Sequence, residues 1–245
     1  MIDTPLVLLH GWGMTPRVWN GLRICLSPRL VATPALPGHG GGGASPGAEL
    51  AAWSDAVLGN LPPRCVLGAW SLGAMIALDL ARRHPERIDS LVLFGATPRF
   101  VAADGWDHGL DVATVASFTG SFASEPESTL RRFLALQAVG ESQRRGVVHS
   151  LSRAVVAPDE ARPAGLADGL EILASVDLRA DIPGIAQPVR LIHGRDDAVM
   201  PLTAGQWLAG RLSNARLTVL DHCGHAPMVS QPEACATIIE EWLRG

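Results

Sequence analysis

The sequence predicts an α/β fold: a mostly parallel central sheet with helices on both faces and a helical lid insertion. Short buried-strand runs alternate with helix-like segments up to residue 95 and again from residue 189. Parallel strands covered on both faces read as continuous apolar runs of this kind. Between them, over roughly 75 residues, helical periodicity replaces the alternation. Glycine (26) and proline (18) are frequent and supply many turns.

Taken in order, residues 5–9 (PLVLL) form the first strand run, ending in His10-Gly11-Trp12-Gly13. Residues 30–35 form the second, stopped by Pro37-Gly38-His39-Gly40 and three more glycines. Residues 48–60 read as a helix and 64–68 as the third strand. A strong helix over 72–84 ends before Pro85, and 88–95 is the fourth strand. Within the insertion, 128–139 and 142–156 carry helical periodicity. A strand at 189–193, a helix near 203–211, a strand at 217–220 and a last helix at 233–243 complete the pattern. The division expected is a core of residues 1–97 and 176–245 with a lid of residues 98–175. There is no internal repeat.

Composition excludes several classes. The chain has 245 residues, 47% hydrophobic and 18% charged, which describes one globular domain with room for an insertion. A net charge of −4 predicts no affinity for nucleic acid. All 20 basic residues are arginine. The cysteines (25, 65, 223, 235) form no CxxC pair, which fits reduced thiols. The opening segment lacks the basic region and apolar length of a signal peptide. No stretch approaches the ~18 apolar residues of a membrane span. A cytoplasmic monomer without metal or other cofactor, and without a membrane partner, is expected.

The chemistry concentrates at strand ends. Gly68-Ala69-Trp70-Ser71-Leu72-Gly73 lies where a strand turns into a helix. It resembles the nucleophile elbow G-x-S-x-G, with Ala69 in place of the first glycine. The turn is so sharp that the neighbours of the serine must be small. The alternative role for Ser71 is to cap the helix. A serine hydroxyl needs a base to take its proton. Downstream, His193-Gly194-Arg195-Asp196-Asp197-Ala198-Val199-Met200-Pro201 offers two acids after a late strand. Loops of the form G-x-x-D-x-x-M-P select Asp197, which leaves Asp196 as a turn residue. His222-Cys223-Gly224-His225-Ala226-Pro227 offers two bases, and the G-H-x-P pattern favours His225. His222, Cys223 and His225 all bind zinc elsewhere, but no second cluster of suitable spacing accompanies them. The histidines at 10, 39, 84, 108, 149 and 193 are scattered and call for no catalytic role. In the plan Ser, then Asp, then His, one oxyanion donor follows the nucleophile and one comes from the first strand's loop. These are the backbone N–H groups of Leu72 and Trp12. The Trp12 side chain serves equally as a loop anchor. Together these elements predict acyl transfer by Ser71, His225 and Asp197.

The motifs resemble more closely one group within the α/β-hydrolase superfamily. LVLLHGWG, WSLG, HPERI at 84–88, RFLALQ at 132–137, GLEIL at 169–173, VDLR at 176–179 and GHAP at 224–227 are similar to the pimeloyl-acyl carrier protein methyl ester esterases of biotin synthesis. The resemblance runs from near residue 6 to the end of the chain. It implies an α/β-hydrolase fold and a carboxylesterase that releases methanol from the pimeloyl methyl ester on acyl carrier protein. It also implies substrate contacts at Trp12, Ser71, Leu72, Phe133, Leu134, Ala135, Leu136, Gln137 and His225. The run 133–137 serves equally as lid-helix core. The departures are a short segment before the first strand, Ala35 where many relatives have Asp, and Ala69.

An acidic partner is suggested independently. Residues 128–153 hold five arginines (131, 132, 144, 145, 153) and one acid, Glu141. Arg145, His149 and Arg153 are spaced to share one helical face. Arg131, Arg132, Arg145, His149 and Arg153 are thus the expected docking residues for an acidic acyl carrier protein. A solvated helix face is the alternative. Small esters are further expected substrates. A general short-chain carboxylesterase and a non-catalytic ligand receptor on the same fold are the other readings open on sequence.

Overall fold

Among the described residues, six strands form one sheet in the order β2-β1-β3-β4-β5-β6. They are β1 (Leu6–Leu9), β2 (Val31–Ala32), β3 (Cys65–Trp70), β4 (Ile88–Phe94), β5 (Val189–Gly194) and β6 (Ala215–Leu220), and every pairing is parallel. The structure, a computed structural model, describes residues 4–26, 31–156 and 163–244. The helices are α1 (Asn20–Cys25), α2 (Leu50–Leu58), α3 (Leu72–Arg83), α4 (Val112–Ser124), α5 (Pro126–Gln137), α6 (Arg144–Ser152), α7 (Pro163–Ser175), α8 (Leu202–Arg211), α9 (Pro227–Ser230) and α10 (Pro232–Arg244). Among the described residues, no helix is long and apolar enough to cross a membrane.

Side chains alternate across each strand, so one apolar run feeds two cores. Val7, Leu9, Leu67, Ala69, Leu91, Leu93 and Leu191 pack with Trp53 of α2, the buried length of α3 and Leu208 of α8. Leu6, Leu8, Val66, Trp70, Val92, Phe94 and Ile192 pack on the other face with Leu22 of α1, Met228 of α9 and Ile239 of α10. Each fully buried aliphatic side chain contributes about 1.5–3 kcal/mol. The helices α4–α7 lie in sequence between β4 and β5.

Three local expectations change. The second strand shrinks to Val31–Ala32, with residue 30 outside the described residues. Pro34 cannot donate to a ladder and Pro37 follows at once. The helix expected over 142–156 ends at Ser152. Its tail runs extended against the loop after β1, with Thr15 N–H donating to Ala154 O (2.7 Å) and Val156 N–H to Gly13 O (3.0 Å). Two helices between β4 and β5, α4 and α7, form where the sequence shows no regular apolar period. The α4 segment VATVASFTGSFAS mixes alanines with β-branched residues, serines and a glycine, and its start is capped by Asp111, which accepts the Thr114 N–H (2.9 Å).

The insertion is closed at its base. Leu178 N–H donates to Pro98 O (2.9 Å), and Arg99 pairs with Asp177 in an antiparallel bridge. The Asp177 carboxylate takes Arg179 Nε at 2.9 Å and Nη2 at 2.8 Å, and Arg99 Nη1 at 2.8 Å. Hydrogen bonds from Arg179 foremost, joined by Arg99, hold its pKa down at about 2. Arg179 also lies over the Trp106 ring, 5.7 Å from its centroid. Replacing Asp177 with Asn is expected to cost about 1–2 kcal/mol at pH 7, a partly exposed network being worth less than a buried one. Urea denaturation of the two proteins measures it; an unchanged midpoint at pH 7 would show the clasp to be energetically silent.

Candidate active site

The sheet order reverses between β1 and β3, since β2 lies on one side of β1 and β3 on the other. The loops leaving these two strands diverge and open a crevice at the carboxyl edge. Ser71 stands there, between β3 and α3, at φ 59° and ψ −122°. A non-glycine residue in that region carries strain of about 1–3 kcal/mol and needs support. Its N–H donates to Phe94 O on the neighbouring strand (3.2 Å). Behind it α3 presses on the β1 end so closely that a Cβ on Gly73 would sit 2.5 Å from His10 O. Ala69 is buried between Leu9 and Leu93 without disturbing the ladder. The Ser71 side chain makes no capping bond to α3; its Oγ lies 3.0 Å from His225 Nε2.

His225 Nδ1–H donates to Asp197 Oδ2 at 2.8 Å, which leaves Nε2 to accept the Ser71 hydroxyl proton. Asp197 Oδ1 accepts the N–H groups of Val199 (2.9 Å) and Met200 (2.8 Å). Burial alone would raise the Asp197 pKa. His225, His193 and the Met200 N–H outweigh it and hold the carboxyl below its usual range. Asp196 is exposed and its backbone N–H bonds to Cys223 O (3.0 Å). His222 is exposed at φ 52°, and Cys223 Sγ faces Ser230 Oγ (3.4 Å). The three residues of the zinc alternative therefore point apart. The His225 loop is gripped from both sides. Trp70 Nε1–H donates to His225 O (2.7 Å) and His225 N–H to Gln137 O (3.0 Å). Gly224 N–H donates to Glu141 Oε1 (2.7 Å).

The loop after β1 lies against Ser71, since a Cβ on Gly11 would fall 3.0 Å from Ser71 Cβ. Among the described residues, no protein group accepts the backbone N–H of Trp12 or of Leu72. The Trp12 ring meets Phe118, Phe122 and Phe133 edge-on, and its Nε1–H donates to Leu166 O of α7 (2.7 Å). An apolar cavity opens on Ser71 and is walled by Trp12, Phe100, Phe118, Phe133, Leu136, Leu170, Leu173 and Val199, with Leu110, Thr114 and Val115. Only Phe133 and Leu136 of the run 133–137 line it. A helix turns 100° per residue, so five successive side chains cannot share a face. Leu134 packs in the opposite core with Val147 and Leu151. Ala135 O accepts from Arg144 Nη2 (3.2 Å), and Gln137 acts through its carbonyl. The Leu72 side chain lies in the core around α3. Arg131, Arg132, Arg145, His149 and Arg153 are all exposed.

The profile of the alpha/beta hydrolase family matches residues 6–238. The chain belongs to the alpha/beta hydrolase family. A relative from Aromatoleum aromaticum, named pimeloyl-acyl carrier protein methyl ester esterase, is 53% identical over 98% of both chains. One of the same name from Nitrosomonas europaea is 39% identical over 93% of this chain and 91% of its own. Among solved structures, an esterase from Exiguobacterium antarcticum superposes with a TM-score of 0.85 over 99% of this chain and 92% of its own, at 21% identity.

This alpha/beta hydrolase also uses residues that its motifs did not single out. Gly95, at φ 46°, has no room for a side chain: a Cβ there would lie 2.9 Å from His225 Nδ1 and 3.2 Å from Asp197 Oδ2. His193 lies behind the acid, with Nε2 donating to Met200 O (2.8 Å) and 3.4 Å from Asp197 Oδ2. Burial foremost pushes its pKa down. His10 and His39 are buried beside the Trp12 loop, where burial lowers their pKa values to about 3 and about 4. The available signal is position: His10 and His193 sit at or just beyond strand ends on the carboxyl edge, and His39 lies in the glycine-rich turn that follows β2.

Unfolded histidines take up protons near pH 6.5, whereas folded His10 and His39 resist until about 3 and 4. The unfolded chain therefore binds more protons in that interval, and stability falls as pH drops. Each contributes a slope of up to about 1.4 kcal/mol per pH unit. The urea midpoint is expected to fall between pH 7 and pH 5, and His39→Gln to show a shallower fall. Equal pH slopes for wild type and variant would refute this.

Proposed function

We propose that this chain is a serine carboxylesterase that hydrolyses the methyl ester of a pimeloyl-acyl carrier protein, the step that completes pimelate assembly for biotin. The observation that carries the reading is the Ser71–His225–Asp197 hydrogen-bond chain opening on an apolar cavity, in a protein 53% identical to such an esterase along nearly its whole length. Ser71 Oγ attacks the ester carbonyl carbon while His225 Nε2 takes its proton. The N–H groups of Trp12 and Leu72 receive the negative oxygen, each donor being worth roughly 10²–10³ in turnover. His225 then returns the proton to the departing methoxide, and methanol leaves. Water, activated by the same imidazole, opens the acyl-enzyme to the free carboxylate and restores Ser71. Asp197 keeps Nδ1 protonated and stabilises the transient imidazolium.

The apolar cavity suits a hydrocarbon acyl chain. Residues 98–175 act as its lid. The exposed arginines 131, 132, 145 and 153, with His149, form the docking face for the acidic carrier. Glu141, the one acid between them in sequence, is turned inward onto Gly224.

Ser71→Ala is expected to lower kcat by roughly 10⁴ or more; turnover near wild type would remove the nucleophile assignment. Arg131→Glu combined with Arg145→Glu is expected to raise KM for the carrier-bound ester about tenfold, complementary charge acting mainly on encounter. KM for p-nitrophenyl acetate should stay unchanged. Equal losses on both substrates would speak against docking, and equal efficiency of wild type on both would favour a general short-chain esterase.

A further inference from the structure

Two buried histidines join the loop after β1 to the turn after β2 in a reciprocal way. His10, on the first loop, accepts the N–H of Leu36 at Nε2 (3.0 Å), while its Nδ1–H donates to Gly11 O (2.8 Å). His39, on the second, accepts the N–H of Gly13 at Nε2 (3.0 Å), while its Nδ1–H donates to Pro37 O (2.8 Å). Each ring is anchored to its own loop and reaches across to the backbone of the other. The ring centroids are 5.4 Å apart. Both Nε2 atoms face N–H donors, so both rings are fixed in one neutral tautomer.

The residues so held, Gly11 and Gly13, flank Trp12. The far side of the stitch is itself wedged. A Cβ on Gly38 would fall 2.5 Å from Gly165 Cα at the start of α7, and the next residue of α7, Leu166, takes the Trp12 Nε1–H. The loop's backbone and its one large side chain are therefore tied to the same neighbourhood by separate bonds.

We propose that His10 and His39 are positioning residues for ester hydrolysis: by stitching the two loops together they hold the Trp12 N–H aimed at the oxyanion. The inference rests on the esterase reading above, in which Trp12 N–H is a donor. A donor displaced by about 1 Å loses most of its effect on the tetrahedral state, where charge is greatest. It loses little in the ground state, so the effect falls on kcat.

The test uses a matched pair of variants. In His39→Asn the side chain reaches only the Nδ1 position, so Gly13 N–H loses its acceptor. In His39→Gln an oxygen reaches the Nε2 position and keeps it. With p-nitrophenyl acetate, His39→Asn should lower kcat by roughly 10–10²-fold with KM within about twofold. His39→Gln should recover kcat to within about fivefold of wild type. Inhibition by a trifluoromethyl alkyl ketone adds the decisive readout. Ser71 Oγ bonds to its carbonyl carbon, the proton passes to His225, and the oxygen becomes an anion facing Trp12 and Leu72. Its Ki should rise in step with the loss of kcat. His10→Asn and His10→Gln repeat the comparison at the other ring and replace the first pair if a His39 variant fails to fold. Full kcat in the Asn variants, equal losses in Asn and Gln variants, or an unchanged ketone Ki would overturn the proposal. Labelling of Ser71 by a fluorophosphonate separates the two levels. If wild type is not labelled and Ser71→Ala turns over, the esterase reading has failed. If labelling is intact and His39→Asn keeps its kcat, only the stitch has failed.

Discussion

The bond from Ser71 N–H to Phe94 O keeps a non-glycine residue at φ 59°, and the surrounding loops are arranged around that turn. A serine thrust out of a strand end leaves almost no space beside it. Three neighbouring segments meet the demand with glycine. Gly11 passes Ser71 Cβ, Gly73 in the first turn of α3 passes the carbonyl of His10, and Gly95 passes the His225 ring and the Asp197 carboxylate. The motif letters around the serine are thus only part of one steric requirement, which extends to strands far away in sequence. Ala69 fits because the first elbow position faces the core between Leu9 and Leu93, where one methyl group is accommodated.

The helices between β4 and β5 do more than roof the cavity. Leu166 O holds Trp12, Gln137 O holds the backbone of His225, and Glu141 holds Gly224. Both loops beside Ser71 are therefore fastened to the segment between β4 and β5. Burial makes these bonds costly to leave unmade, at roughly 1–3 kcal/mol for each orphaned partner. Burial raises the Glu141 pKa even as Gly224 N–H favours its anion, so this fastening is held in tension by its own surroundings.

Much of this was legible in the sequence, for definite reasons. β1, β3, β4 and β5 are apolar runs buried on both faces, and such runs have few other interpretations. Ser71, Asp197 and His225 lie in loops whose neighbours constrain them, and Asp197 rather than Asp196 is the acid that reaches His225. Other parts were hidden. α4 mixes Ala and Phe with Val, Thr, Ser and Gly in no clear apolar period, and it is supported by a cap and by Phe122 and Val115 packing inward. The run 133–137 carries no sign of which residues turn toward the cavity until the helix phase is known. His10 and His39 were invisible as a pair because they lie 29 positions apart and meet only after β1 and β2 align.

The cavity walls carry a last consequence. Apart from the hydroxyls of Ser71 and Thr114, the side chains that line it are hydrocarbon and aromatic. Along those walls a hydrocarbon chain displaces water without leaving a polar group unpaired, whereas a charged group has no side-chain countercharge there and is expensive to bury. The charge that ester hydrolysis creates is therefore confined to the end of the chamber beside Ser71 and His225, where polar partners stand. The walls thus sort a molecule by polarity, apolar length along the chamber and charge at one end.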